Sequence, residues 1–152
     1  MIVDDATKPR EKTEEIISKL LNERQDVLVR FCRVAGLDPF TPDQPSREMI
    51  EEFCQVLVDY SAFGHFEVYS RILSGEERRQ QVLEVANRIY PQIAESTEFA
   101  VAFNDKYDAL THTEPLDHLN DDLAKLGEEI AMRIDVEDQL LTAMLAEQPE
   151  VA

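Results

Sequence analysis

The sequence predicts an all-α protein, an antiparallel up-down-up-down four-helix bundle with a kinked third helix. Three observations lead there. Apolar residues recur at i, i+3, i+4 and i+7 through four long stretches, no stretch alternates apolar and polar residues at the period of a strand, and the stretches are joined by short connections. A chain of 152 residues with 43% hydrophobic content is ordinary for one globular domain, so a single helical domain over residues 1–152 is expected, with residues 1–6 and 147–152 as flexible termini.

The first helix is expected from about Pro9 to Ala35. Ile16, Ile17, Leu20, Leu21, Val27, Leu28, Phe31 and Val34 recur at helical spacing, and Gly36 is placed as the C′ residue. Arg24 interrupts this stripe four residues after Leu20 and four before Leu28, so its guanidinium points inward unless it snorkels. The next ten residues, LDPFTPDQPS, hold three prolines and form a connection.

Ser46 is the expected N-cap of the second helix, SREMIEEFCQVLVDYSAFGHFEVYSRIL, with Glu48 and Glu51 in its first turns. Ile50, Phe53, Cys54, Leu57, Ser61, Gly64, Val68 and Ile72 fall on one side of it, which is the core stripe. Val56, Asp59, Phe63 and Phe66 fall on the other side, with Ala62 and Leu73 beside them. This second apolar surface has two readings: the helix lies in the middle of the bundle and buries both faces, or the outer face docks another protein. A bend is expected near Gly64, and Ser74-Gly75 is the next break.

The third helical region, residues 76–110, carries Val82, Val85, Ala86, Ile89, Ile93, Phe99, Ala100, Phe103 and Tyr107. Pro91 within it predicts a kink, or a split into two segments, near Arg88–Pro91. Thr113 is the expected N-cap of the last helix, with Glu114 and Pro115 in the first turn. Leu116, Leu119, Leu123, Leu126, Ile130, Ile134, Leu141 and Met144 then repeat through about Ala146.

Charge narrows the function. With 32 acidic residues against 15 basic, the net charge is -17, which repels phosphate backbones, argues against direct nucleic-acid binding and attracts basic protein surfaces. Solubility alone is the competing explanation of that charge. No run approaches the roughly 18 apolar residues of a membrane span, and the N-terminus MIVDDATKPREK lacks the order of a signal peptide, so a cytoplasmic location without membrane partners is expected. Cys32 and Cys54 sit in apolar helical patterns without metal-type spacing and are expected as reduced core thiols.

Catalytic motifs are missing. The chain has no Glu-x-x-His of a di-iron bundle, no glycine-rich phosphate loop and no nucleophile elbow, so neither a cofactor nor enzymatic activity is expected. What remains are polar residues on or beside apolar stripes: Arg24, Asp59, Tyr60, His65, and Arg133 with Glu137 at i,i+4 spacing. Buried charges of this kind either pair across the bundle or line a crevice. The alternative reading is a metal-binding or catalytic bundle using His65, His112, His118 and nearby carboxylates, which metal content would distinguish.

The run FCQVLVDYSAFGHFEVY, Phe53 to Tyr69, resembles the signature helix of the regulator-of-sigma-D family, the Rsd/AlgQ anti-sigma proteins. LLNERQDVLVRFCRVAGL in the first helix, Ile-Tyr-Pro-Gln at 89–92 and IDVEDQLLTAML at 134–145 look like their family counterparts in order and spacing. The resemblance implies a four-helix bundle that binds the primary sigma factor of RNA polymerase, chiefly its basic C-terminal region 4, which reads the -35 promoter element. It implies an anti-sigma factor that occludes sigma from core polymerase or promoter. By motif position Asp59, Tyr60 and Phe66 look like the sigma-contacting residues, with Ala62, Phe63 and Ser70 on the same surface and Arg24, His65, Arg133 and Glu137 as a supporting polar network. The chain departs from the family pattern at Lys19-Leu20, where relatives carry Arg-Trp, and at Ala62, where relatives have serine; it contains no tryptophan. A monomer is expected, and a homodimer that buries the second face itself is the third reading.

Overall fold

A computed structural model describes residues 7–37, 45–70, 72, 79–107 and 116–146. Four α-helices carry most of them: α1 (Thr7–Ala35), α2 (Arg47–Phe63), α3 (Gln80–Tyr107) and α4 (Leu119–Leu145). A π-helical segment, Gly64–Tyr69, continues α2, and no strand occurs among the described residues.

The ends follow from local chemistry. Ser46 adopts extended backbone and its side chain accepts the Met49 N–H at 3.2 Å, which satisfies one of the unpaired donors of the first turn of α2. Gly36 takes a φ of 71°, the left-handed conformation that closes α1, as the sequence predicts. Helix α4 departs from expectation. It starts at Leu119 after a turn at Asp117 and His118, later than the sequence predicts, and Asp121 and Asp122 supply the negative charge that favours a first turn. Helix α3 runs as one element through Pro91, so it does not split there. The expected flexible termini, most of the proline-rich connection, Leu73, Ser74-Gly75 and Thr113–Pro115 lie outside the described residues.

Helix α1 packs beside α2, α2 beside α3, α3 beside α4 and α4 beside α1, so the helices close a ring around one hydrophobic cluster drawn from all of them. The predicted core stripe of α2 is buried throughout, from Ile50, Phe53, Cys54 and Leu57 to Val68 and Ile72. Each such large side chain contributes roughly 1.5–3 kcal/mol by leaving water. Phe53 anchors the centre, its ring 5.9 Å from both Phe31 of α1 and Phe103 of α3. Not every stripe residue is inside. Leu21 and Leu28 stay exposed on α1, and Cys32 is only half-buried, because α1 presents to the core a narrower arc than its apolar residues span.

Close packing at one glycine fixes the approach of α1 to α4. A Cβ added at Gly127 would meet Phe31 Cζ at 2.9 Å, so the Phe31 ring lies directly over the glycine.

Candidate partner-binding face and its buried support

The outer side of α2 and the π segment is where the sequence places a second surface, and it does open outward. Phe66 is 66% exposed, the largest exposure among the large hydrophobic residues of the described chain. Asp59 is exposed about two turns earlier on the same side, its carboxylate accepting from Gln55 Nε2 at 3.3 and 3.4 Å. Val56, Ala62, Phe63 and Ser70 are half-buried around them. The Lys19 ammonium of α1 sits 4.4 Å from the centre of the Phe63 ring, a cation–π contact that holds this ring against the bundle.

The neighbouring strip of α1 is acidic. Glu14, Glu15, Glu23 and Asp26 line a shallow groove with Ser18, Lys19 and Asn22. Burial raises the Glu23 carboxyl above the ordinary glutamate range; Lys19 pulls it down, while Asp59 and Asp26 push it further up. That coupling joins Asp59 and the α1 strip into one field of negative charge. A basic partner would relieve the repulsion.

Beneath this face lies a network of charges whose centre, Arg133 and Glu137, is almost wholly buried. Arg133 is 2% and Glu137 0% exposed, and both project from α4. The Tyr60 hydroxyl of α2 donates to Glu137 Oε1 at 2.6 Å, while Arg24 Nη1 of α1 donates to the same oxygen at 3.4 Å and to Asp138 at 2.7 Å. Arg133 Nε stands 3.7 Å from Glu137 Oε2. Its Nη1 donates to Ser96 and Thr97 of α3 at 3.0 and 2.8 Å, its Nη2 to the Ser61 carbonyl of α2 at 3.2 Å, and its guanidinium lies 5.1 Å from the Tyr60 ring centre. All four helices therefore meet in one ionic cluster. The bonds from Tyr60 to Glu137 and from Arg133 to Ser61 span α2 and α4, which face each other across the ring.

Burial dominates the electrostatics. It raises the Glu137 carboxyl above its ordinary range, and Arg133, the Tyr60 hydroxyl and Arg24 offset it only in part. Burial, and next the Glu137 carboxylate, push the Tyr60 hydroxyl far up, so it remains a proton donor at any physiological pH. A buried charge this well paired breaks badly when one partner is removed, which makes the cluster a determinant of helix register.

The structure separates the residues that the sequence grouped. Tyr60, expected on the outer surface, is 0% exposed and belongs to the buried cluster. His65, expected in the polar network, lies away from it: its ring sits 4.9 Å from Phe66 and 5.7 Å from Tyr90, half-buried at the edge of the outer face. Ser61, expected on the core stripe of α2, joins the cluster through its carbonyl, whereas Ser96, Thr97 and Asp138 have no counterpart among the expected residues. Ser96 carries a readable signal, since it stands three residues after Ile93 and four before Ala100, a hydroxyl on the core stripe of α3.

For the metal reading, His118 is exposed ahead of α4, His65 stacks with aromatics, and His112 lies outside the described residues. Among the described residues no group of three or more His, Cys, Asp or Glu is placed to hold a metal ion. No helix among them is long and apolar enough to cross a membrane.

These features define a class: a helical bundle that turns an aromatic, acidic face outward from a buried ionic cluster. The chain belongs to the family described as "Regulator of RNA polymerase sigma(70) subunit, Rsd/AlgQ", whose model matches residues 1–145. Among similar curated proteins, one named Regulator of sigma D from Yersinia enterocolitica is 30% identical over 135 residues, covering 85% of this chain and 80% of that protein. A Regulator of sigma D from Escherichia coli O1:K1 / APEC is 29% identical over 150 residues, covering 94% and 92%. No solved structure gives a significant match.

Proposed function

We propose that this protein is a non-enzymatic cytoplasmic regulator of transcription that binds the primary sigma factor of RNA polymerase, chiefly its basic C-terminal region 4. It acts by occluding sigma from core polymerase or promoter. The observation that carries this reading is Phe66, 66% exposed beside the Asp59 carboxylate on a chain with a net charge of -17. An exposed aromatic rimmed by carboxylates fits an interface anchor that inserts between cationic side chains of a nucleic-acid reader. Membership of the sigma-regulator family supports the choice of partner.

In this reading Asp59, Ala62, Phe63, Phe66 and Ser70 form the contact surface, and Tyr60, Arg24, Arg133 and Glu137 brace it from below. His65 acts at its margin, against Phe66 and Tyr90. The chain acts as a single-domain monomer with the up-down-up-down course. Contacts taken two to a helix pair support it, since the numbers rise along one helix as they fall along the next: Lys19–Phe63 and Arg30–Glu52 between α1 and α2, Phe53–Phe103 and His65–Tyr90 from α2 and its π segment to α3, and Arg88–Gln139 and Tyr107–Asp122 between α3 and α4. A bend of α3 at Pro91, where a backbone donor is lost, completes this description of the bundle.

The test is a calorimetric titration with isolated region 4 of the host's primary sigma factor at low and raised salt. Saturable one-to-one binding that weakens with salt is the expected result. Absence of heat and of co-elution would overturn the reading.

A further inference from the structure

The second helix changes its winding in the middle of the outer face, and the residues that meet at the change are Gly64 and Arg133. From Gly64 to Tyr69 the backbone is π-helical, with the Ser70 N–H donating to the His65 carbonyl five residues back. At the junction the Gly64 N–H is shared between the carbonyls of Tyr60 and Ser61, and Ser61 also accepts Arg133 Nη2 at 3.2 Å. A Cβ on Gly64 would stand 2.7 Å from Arg133 Nη2 and 3.8 Å from the Tyr69 ring. The guanidinium has little room to retreat, since it is 2% exposed and is held at once by Ser96, Thr97 and Glu137.

The change of winding decides which side chains face in. At about 100° per residue, Tyr69 would lie about 120° from Leu57, on the flank of the helix. A π turn holds more residues than an α turn, so each residue rotates less and Tyr69 swings inward. Val68 and Tyr69 are accordingly buried together, 2% and 0% exposed, while Phe66 stays outside.

We infer that Arg133, seated in the notch left by Gly64 and bonded to the Ser61 carbonyl, holds the π register and so sets the direction in which Phe66 is presented. Arg133 is a positioning residue and makes no contact with the partner itself. The inference rests on the sigma-binding reading only for the identity of that partner. The register is a property of the free protein.

The experiment combines Gly64→Ala, Arg133→Met and a Phe66→Trp reporter. Because the chain contains no tryptophan, the reporter is a single fluorophore. Couplings across backbone hydrogen bonds, measured by NMR, distinguish a Ser70–His65 bond from the Ser70–Phe66 bond of an α-helix. The parent protein is expected to show Ser70–His65. Gly64→Ala and Arg133→Met are expected to move it to Ser70–Phe66, to alter acrylamide quenching in the Phe66→Trp background, and, as separate variants that keep Phe66, to weaken region 4 binding at least about tenfold. Retention of the Ser70–His65 coupling and of the quenching in Gly64→Ala would overturn the inference, whether or not Arg133→Met folds. So would a moved register with unchanged binding. A parent protein that binds no region 4 removes the sigma reading, while the couplings and quenching still decide whether Gly64 and Arg133 set the register.

Discussion

The Tyr60 hydroxyl donates to the Glu137 carboxylate at 2.6 Å, joining α2 to α4 through the centre of the bundle. The oxygen that accepts it also receives Arg24, so removing the hydroxyl leaves a buried carboxylate with a single bond of 3.4 Å to that oxygen. Tyr60→Phe is expected to destabilise the fold by about 1–3 kcal/mol, the range for a buried hydrogen bond to a charged group. Urea unfolding with an unchanged slope checks it; no shift of the midpoint would show that the bond is unimportant.

Stability should respond to pH with opposite signs at two carboxylates. Burial raises the Glu137 carboxyl in the folded protein, so its contribution is fully present below its unfolded value and is lost as pH rises through the folded value. The stability of the parent relative to Glu137→Gln is therefore expected to fall from about pH 4.3 upward and then level off. At Asp122 burial raises the carboxyl, but hydrogen bonds from Lys106 and Tyr107 outweigh it and hold the group below its ordinary range. Its contribution is present above the unfolded value and is lost as pH falls through the folded one. Asp122→Asn should flatten the acid limb of the unfolding curve.

Gly127→Ala is expected to cost about 1–3 kcal/mol, the ordinary penalty for overpacking. The added methyl would stand 2.9 Å from Phe31 Cζ, and Phe31 is in turn packed against Phe53. Thermal unfolding measures the loss. Combining it with Phe31→Leu should recover part of it, because the two groups compete for one space.

Phe66→Ala and Asp59→Ala should leave stability within about 0.5 kcal/mol of the parent, since both residues are exposed. Binding to sigma region 4 should weaken by more than about 2 kcal/mol, the magnitude of an interface anchor. Titration calorimetry beside a melting curve separates the two effects, and equal binding by both variants would remove this face from the interface.

Much of this protein was legible in its sequence. The helical class, the core stripe of α2, the Ser46 cap and the left-handed Gly36 all follow from local rules, in which a residue's neighbours within a turn decide its environment. The inward pointing of Arg24, Arg133 and Glu137 was legible too, because each interrupts or borders an apolar stripe at helical spacing. Their partners were not. The sequence separates Tyr60 from Glu137 by 77 positions, and nothing local says which polar group on one helix will face which on another.

The sequence by itself determined the fold class, the four apolar stripes, the charge and the family resemblance. The tertiary structure alone decided that Tyr60 and Tyr69 lie inside, that His65 leaves the ionic cluster for Tyr90, and that Phe66 keeps its exposure. Constant periodicity projects every residue of α2 from one angle per residue, and that projection fails where the winding changes at Gly64. The change is favoured by a buried guanidinium contributed from α4, 69 positions later in the chain, so only the packed bundle contains the cause.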